Sequence, residues 1–141
     1  TVACAESCTG GMLASRLTSI LGSSMYIKGS IVTYSNEAKM KFLDVDKEIL
    51  DKMCAVSPEV AKQMAEGVRK AVGSDIGVGI TGIAGPTGGT DKKPVGLVYI
   101  AVAGKDNTVV KENVFSGDRA RVRYRSTQQA LEMIRQYIKN K

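Results

Sequence analysis

The sequence predicts an α/β fold: a three-layer α/β/α sandwich with a mixed, mainly parallel sheet ending in an antiparallel hairpin. Three observations predict it. Short runs rich in apolar and β-branched residues alternate with segments of helical periodicity through the first half of the chain. Two further β-rich runs follow each other around the tripeptide "KDN", which reads as a hairpin turn. The chain has 141 residues, 43% hydrophobic and 24% charged, which suits one soluble domain with a real core. No apolar run approaches the roughly 20 residues needed to cross a bilayer, so no membrane association is expected.

The elements follow in order. "VACAE" reads as a short buried strand, and "GGMLASRLTSILG" as a helix with Leu13, Leu17 and Ile20 inward and Gly22 as its stop. "MYIKGSIVTYS" reads as a second strand ended by Tyr34, followed by the short helix "NEAKMKFL", capped by Ser35 or Asn36, with Lys39 in its first turn. "DKEILDKM" is a short helix. "SPEVAKQMAEGVRKAVG" is a longer one, with Ser57 as N-cap, Pro58 at the first helical position, an inward stripe of Val60, Met64, Val68 and Ala71, and Gly73 as terminator. "DIGVGITGI" is a buried strand, and "AGPTGGTDKKPVG" a loop long enough to suggest function rather than connection. "LVYIAVAG" and "TVVKENVFS" form the hairpin. The closing helix runs through "DRARVRYRSTQQALEMIRQYIKNK" with Val122, Ala130, Met133, Ile134, Tyr137 and Ile138 inward.

Composition narrows the chemistry. The sequence contains no histidine, which removes Ser-His-Asp and Cys-His catalysis and the commonest metal ligand. Its three cysteines, Cys4, Cys8 and Cys54, have no CxxC spacing and suggest reduced thiols in a cytoplasmic protein. The net charge of +6 is spread along the chain and aromatic residues are few, so the charge is read as favouring small anions over nucleic acid.

Four constellations could carry chemistry. Ser7 begins a strand-to-helix turn with Cys8, Thr9, Gly10 and Gly11, where main-chain N–H groups are expected to face outward and hold an oxyanion or phosphate. The alternative is that Ser7 or Thr9 simply caps the helix. Cys8 is the second candidate nucleophile, without a histidine to ionise it. In "YSNEAK", the amine of Lys39 would be pushed toward its neutral form by the helix dipole and by burial, making it a base for Ser7 with Tyr34 relaying or orienting the proton; the alternative is a solvated lysine beside a packed tyrosine. Thr81, Gly82, Gly85, Gly88 and Gly89 form a loop whose backbone could approach a ligand closely, or a turn-rich connection. Arg119, Arg121, Arg123 and Arg125 open the last helix; Arg119 is read as an anion contact and the other three as a solvated face.

With these residues in view, "AESCTGG", "VTYSNEAK", "AVSPEV", "GITGIAGPTGGT", "KPVGLVYIA" and "FSGDR" together resemble the CinA C-terminal domain family, whose stand-alone form is a PncC-type nicotinamide-nucleotide amidase. The resemblance runs in register over almost the whole chain. It implies an enzyme that hydrolyses nicotinamide mononucleotide to nicotinic acid mononucleotide and ammonia, with Ser7 as nucleophile, Lys39 as base, Tyr34 assisting, and Thr81 and Arg119 at the substrate. The oxyanion would be held by amides from Cys8 to Gly11, and the phosphate by Arg119 and loop amides from Gly82 to Gly89. No metal or organic cofactor is expected. Residues 1–141 would form a single domain of that family lacking the helix that usually precedes its first strand, with a small-molecule nucleotide as substrate and a tendency to form homo-oligomers. A non-catalytic nucleotide-binding module of a competence or damage-inducible protein is the alternative function. DNA binding through the arginine-rich helix ranks third.

Overall fold

A computed structural model describes residues 1–141. Its elements are β1 (Val2–Glu6), α1 (Met12–Thr18), a 3-10 turn at Ser23–Met25, β2 (Ile27–Val32), α2 (Asn36–Leu43), α3 (Lys47–Met53), α4 (Pro58–Val72), β3 (Ile76–Gly82), β4 (Leu97–Ala103), β5 (Thr108–Val114) and α5 (Arg119–Lys139). The sheet has the order β2-β1-β3-β4-β5. β1 runs parallel to both β2 and β3, while β3/β4 and β4/β5 are antiparallel. This is the expected mixed sheet with a terminal hairpin, and no helix is long and apolar enough to cross a membrane.

Strand alternation sorts large and small residues onto opposite faces. Toward α1 and α5 the strands present Val2, Cys4, Ile76, Val78, Ile80, Val98, Ile100 and Val102, which pack with Leu13, Val122, Ala130, Met133, Ile134 and Tyr137. Toward α4 they present Ala3, Ala5, Ala101 and Ala103, together with Gly77 and Gly79. A Cβ at Gly77 would collide with the Ala65 carbonyl, and one at Gly79 with the Ala61 carbonyl. The missing side chains therefore let the α4 backbone lie directly against the centre of the sheet. Helices α2 and α3 cover the same layer through Leu43, Val45 and Leu50, packed on Val60, Met64 and Val68.

Local details differ from the sequence expectation. Strand β2 spans only Ile27–Val32, so Met25 precedes it and Tyr34 lies beyond it. Helix α1 stops at Thr18, where the hydroxyls of Thr18 and Ser19 donate back to the carbonyls of Ala14 and Arg16; Ile20, 61% exposed, lies beyond it. Val72 rather than Ala71 makes the last apolar contact of α4, over Gly29 of β2. Ile138 is exposed, because Tyr137, tied through its hydroxyl to Asn107, fills the last inward position of α5.

Replacing Gly79 by alanine is expected to push α4 off the sheet and lower the unfolding free energy by about 1–3 kcal/mol, as overpacking of a close-packed interior does. Urea denaturation measures this, and an unchanged midpoint would show that α4 can shift freely.

Candidate active site

The turn after β1 is built around one buried carboxylate. Glu6 is the last residue of β1 and is fully buried. Its side chain accepts hydrogen bonds from the Thr9 hydroxyl at 2.6 Å and from the main-chain N–H groups of Gly11, Leu13 and Ala14 at 3.2, 3.0 and 2.9 Å. A carboxylate thus occupies the start of α1 and satisfies donors that would otherwise be orphaned, with charge-assisted bonds. This overturns the expectation that the amides of Gly10 and Gly11 are open to a ligand: Gly11 donates to Glu6, and Gly10 to the Ser7 carbonyl. The Ser7 N–H donates to Ile80 and that of Met12 to Thr9. Between Ser7 and Ala14, only the N–H groups of Cys8 and Thr9 have no acceptor within the protein.

Ser7 and Lys39 meet across the sheet. Ser35 caps α2 by accepting from the Ala38 N–H, which directs the next residue, Lys39, inward. Lys39 is 1% exposed, and its Nζ lies 3.1 Å from Ser7 Oγ, 2.7 Å from the Thr33 carbonyl oxygen and 3.4 Å from the Tyr34 carbonyl oxygen. It forms no ion pair with any carboxylate. Burial without a counter-ion lowers its pKa from the ordinary lysine value, because the ammonium loses more hydration than the amine. A neutral amine has two N–H donors and one lone pair. With Nζ donating to the two carbonyls, a neutral amine would have its lone pair left for the Ser7 hydroxyl 3.1 Å away. That is the geometry of a base poised to accept a serine proton.

Cys8 is also buried beside the serine, yet burial pushes its thiol pKa up to about 11. At neutral pH it stays protonated and is a poor nucleophile.

These groups line an open cavity of about 290 Å³. The structure brings Ser7, Cys8, Tyr34, Lys39, Thr81, Gly82, Gly85, Gly88 and Arg119 to its wall. It does not bring Thr9, Gly10, Gly11 or Gly89 to that wall. Thr9 is buried with its hydroxyl on Glu6, and Gly89 packs on Val95 within the loop. Thr81 donates its hydroxyl to the Ala55 carbonyl at 2.7 Å and so fixes the opposite wall, where Ala55 and Val56 also line the space. Lys93 ties the glycine-rich loop to that wall by donating to the carbonyls of Met53 and Val56. Arg119 donates to the Gly85 carbonyl at 2.8 Å and to the Tyr34 hydroxyl at 3.3 Å, and it too lacks a carboxylate partner. Its charge is available to an anion in the cavity.

Tyr34, expected to relay or orient the proton, meets the lysine through its main chain. Its hydroxyl accepts from Arg119 and makes no hydrogen bond to Ser7 or Lys39, while its main-chain carbonyl holds the lysine. The sequence reading missed Glu6, the carbonyl of Thr33, the wall at Ala55 and Val56, and Arg123. A lone acidic residue ending an otherwise apolar strand was the available signal for Glu6.

A serine-lysine pair at the carboxyl ends of parallel strands, facing a glycine-rich loop and an arginine without a carboxylate partner, defines an α/β domain with an open cleft at its strand ends. The sequence matches the CinA C-terminal domain over residues 1–138, and the chain belongs to that family. It is similar to a CinA-like protein of Syntrophomonas wolfei, at 52% identity over 139 residues, covering 99% of this chain and 33% of that protein. Solved structures agree. A competence/damage inducible protein from Agrobacterium tumefaciens superposes with a TM-score of 0.93 at 42% identity, covering 95% of this chain and 82% of that one. A competence-damaged protein (CinA) superfamily protein from Escherichia coli superposes with a TM-score of 0.93 at 36% identity, covering 96% of this chain and 79% of that one. The chain spans about a third of the length of the curated relatives it matches.

Replacing Glu6 by glutamine puts an amide NH₂ among four donors that all need an acceptor. The expected loss is on the order of 1–3 kcal/mol for each donor left unsatisfied in the interior, read by thermal or urea unfolding. A fully stable Glu6→Gln variant would show that the turn does not depend on the carboxylate.

Proposed function

We propose that this domain is an amidohydrolase that deamidates nicotinamide mononucleotide by a serine-lysine mechanism. The observation that carries the reading is the environment of Lys39, a buried amine with two carbonyl acceptors and Ser7 Oγ as its third neighbour. The substrate assignment comes from the resemblance to the nicotinamide-nucleotide amidases, and the unpaired Arg119 beside Gly85 supports a substrate bearing a phosphate.

In the proposed reaction Lys39 Nζ takes the Ser7 hydroxyl proton as Oγ bonds to the carboxamide carbon. Negative charge develops on the carbonyl oxygen, and the unpaired N–H of Cys8, a residue of the cavity wall, is the donor proposed to receive it. The C–N bond then breaks, and the leaving nitrogen carries away the proton held on Lys39 as ammonia. Water, deprotonated by the same amine, attacks the acyl-serine and releases nicotinic acid mononucleotide and a free Ser7 hydroxyl. Arg119 and the loop around Gly85 and Gly88 bind the phosphate.

Ammonia release from nicotinamide mononucleotide tests this directly, with free nicotinamide as the control substrate. Ser7→Ala and Lys39→Ala are each expected to reduce kcat by about 10³-fold or more with folding intact, as removal of a nucleophile or its base does. A folded wild type that releases no ammonia overturns the amidase and leaves nucleotide binding without turnover as the reading to test. Arg119→Ala is expected to raise KM about tenfold or more with a smaller effect on kcat, because its contact persists through the reaction.

The pH profile has a defined sign. Protonated Lys39 cannot accept a proton, so activity falls as pH drops through its pKa and rises as the amine is released. Burial places that acidic limb below the ordinary lysine range. A rise in kcat/KM at the ordinary lysine pKa would contradict the buried neutral base.

A further inference from the structure

Arg123 has a role that the solvated-face reading of the last helix did not anticipate. It is half-buried on α5, and its Nε donates to the Cys8 carbonyl at 3.0 Å while Nη2 donates to the Thr9 carbonyl at 3.2 Å. No carboxylate pairs with it, so peptide oxygens of the Ser7 turn are its acceptors. Gly10 passes close beneath it, where a Cβ would lie 3.4 Å from Nη2.

A trans peptide points its C=O and N–H to opposite sides. With the Cys8 carbonyl drawn to Arg123, the Thr9 N–H of the same peptide faces away from α5. The Ser7 carbonyl is likewise taken by the Gly10 N–H, which turns the Cys8 N–H the other way. These are the two amides of the turn without a protein acceptor. Arg123 on the Thr9 carbonyl polarises the peptide that carries the Gly10 N–H, which donates to the Ser7 carbonyl and so strengthens the Cys8 N–H of that neighbouring peptide as a donor.

We infer that Arg123 is a positioning residue that clamps the carbonyl side of the Ser7–Thr9 turn and so orients and polarises the Cys8 N–H, the unpaired turn amide whose residue lines the cavity, as the oxyanion donor of the reaction. The inference rests on the serine-lysine amidase reading. It assigns Arg119 and Arg123, one helical turn apart on α5, to different tasks: Arg119 meets the cavity and Arg123 meets the backbone that frames it.

The test is steady-state ammonia release from nicotinamide mononucleotide by wild type, Arg123→Met, Arg123→Lys and Arg125→Met. Arg125 hydrogen-bonds only to Ser116, so its variant serves as the charge control. Arg123→Met is expected to lower kcat about 10- to 100-fold with KM within about twofold, a loss somewhat smaller than removal of an oxyanion donor itself. Arg123→Lys, which keeps the charge without the fork, is expected to fall between Arg123→Met and wild type, and Arg125→Met to match wild type. Added guanidinium ion is expected to restore part of the activity of Arg123→Met. Unchanged kcat in Arg123→Met, or a rise in KM alone, overturns the positioning role while leaving the amidase intact. If Arg123→Met does not fold, a folded Arg123→Lys with wild-type kcat overturns it equally. A wild type without ammonia release removes the reaction and overturns both.

Discussion

The bond set around Glu6 is the constraint on which the site depends. A carboxylate at the last position of β1 accepts from a hydroxyl and three amides, and so welds the strand to the first turn of α1. Burying such a group is unfavourable unless its oxygens are fully engaged, and here four donors converge on them. The turn between Glu6 and Met12 consequently has little freedom. Ser7 is held by its own N–H on Ile80 of β3, and Arg123 closes the opposite side from α5. Ser7 sits on a framework fixed from two strands and two helices rather than on a flexible loop.

The asymmetry of the sheet places Lys39 against Ser7. Small residues on one face draw α4 onto β3, and Gly67 of α4 in turn allows the end of α2 to come close, since a Cβ there would collide with the Leu43 carbonyl. Helix α2 is thereby seated near the carboxyl end of β1, with Lys39 reaching Ser7 over the carbonyls of Thr33 and Tyr34. Large residues on the other face give α5 a broad apolar seat that brings Arg119 and Arg123 to the same end of the sheet. Close packing on one side and bulk on the other are both needed for the cleft to close around one point.

Much of this arrangement was legible in the sequence. Strand and helix order followed from short apolar, β-branched runs and helical periodicity, and caps such as Ser57-Pro58 and Gly73 were local signals with a local cause. The absence of histidine pointed to lysine as the partner of Ser7, and the two residues are in contact. What escaped was long-range. Nothing local in "RARVRYR" separates Arg123, which meets Cys8 and Thr9 more than a hundred residues away, from Arg125, which meets only Ser116. The glycines of "DIGVGITG" read as part of a buried strand, whereas their task, admitting the α4 backbone, exists only once α4 is in place. The partner of the Tyr34 hydroxyl likewise depends on where α5 begins.

Lys39 is buried without a counter-ion, and an apolar residue of similar length would sit there without the penalty of desolvating an amine. Such a position is held against the fold's own preference. In a population of drifting sequences it would relax toward methionine or leucine once selection for the chemistry lapsed, leaving the core filled and the cleft in place. The identity of this single side chain is therefore tied to the proposed chemistry, whereas the fold around it is not.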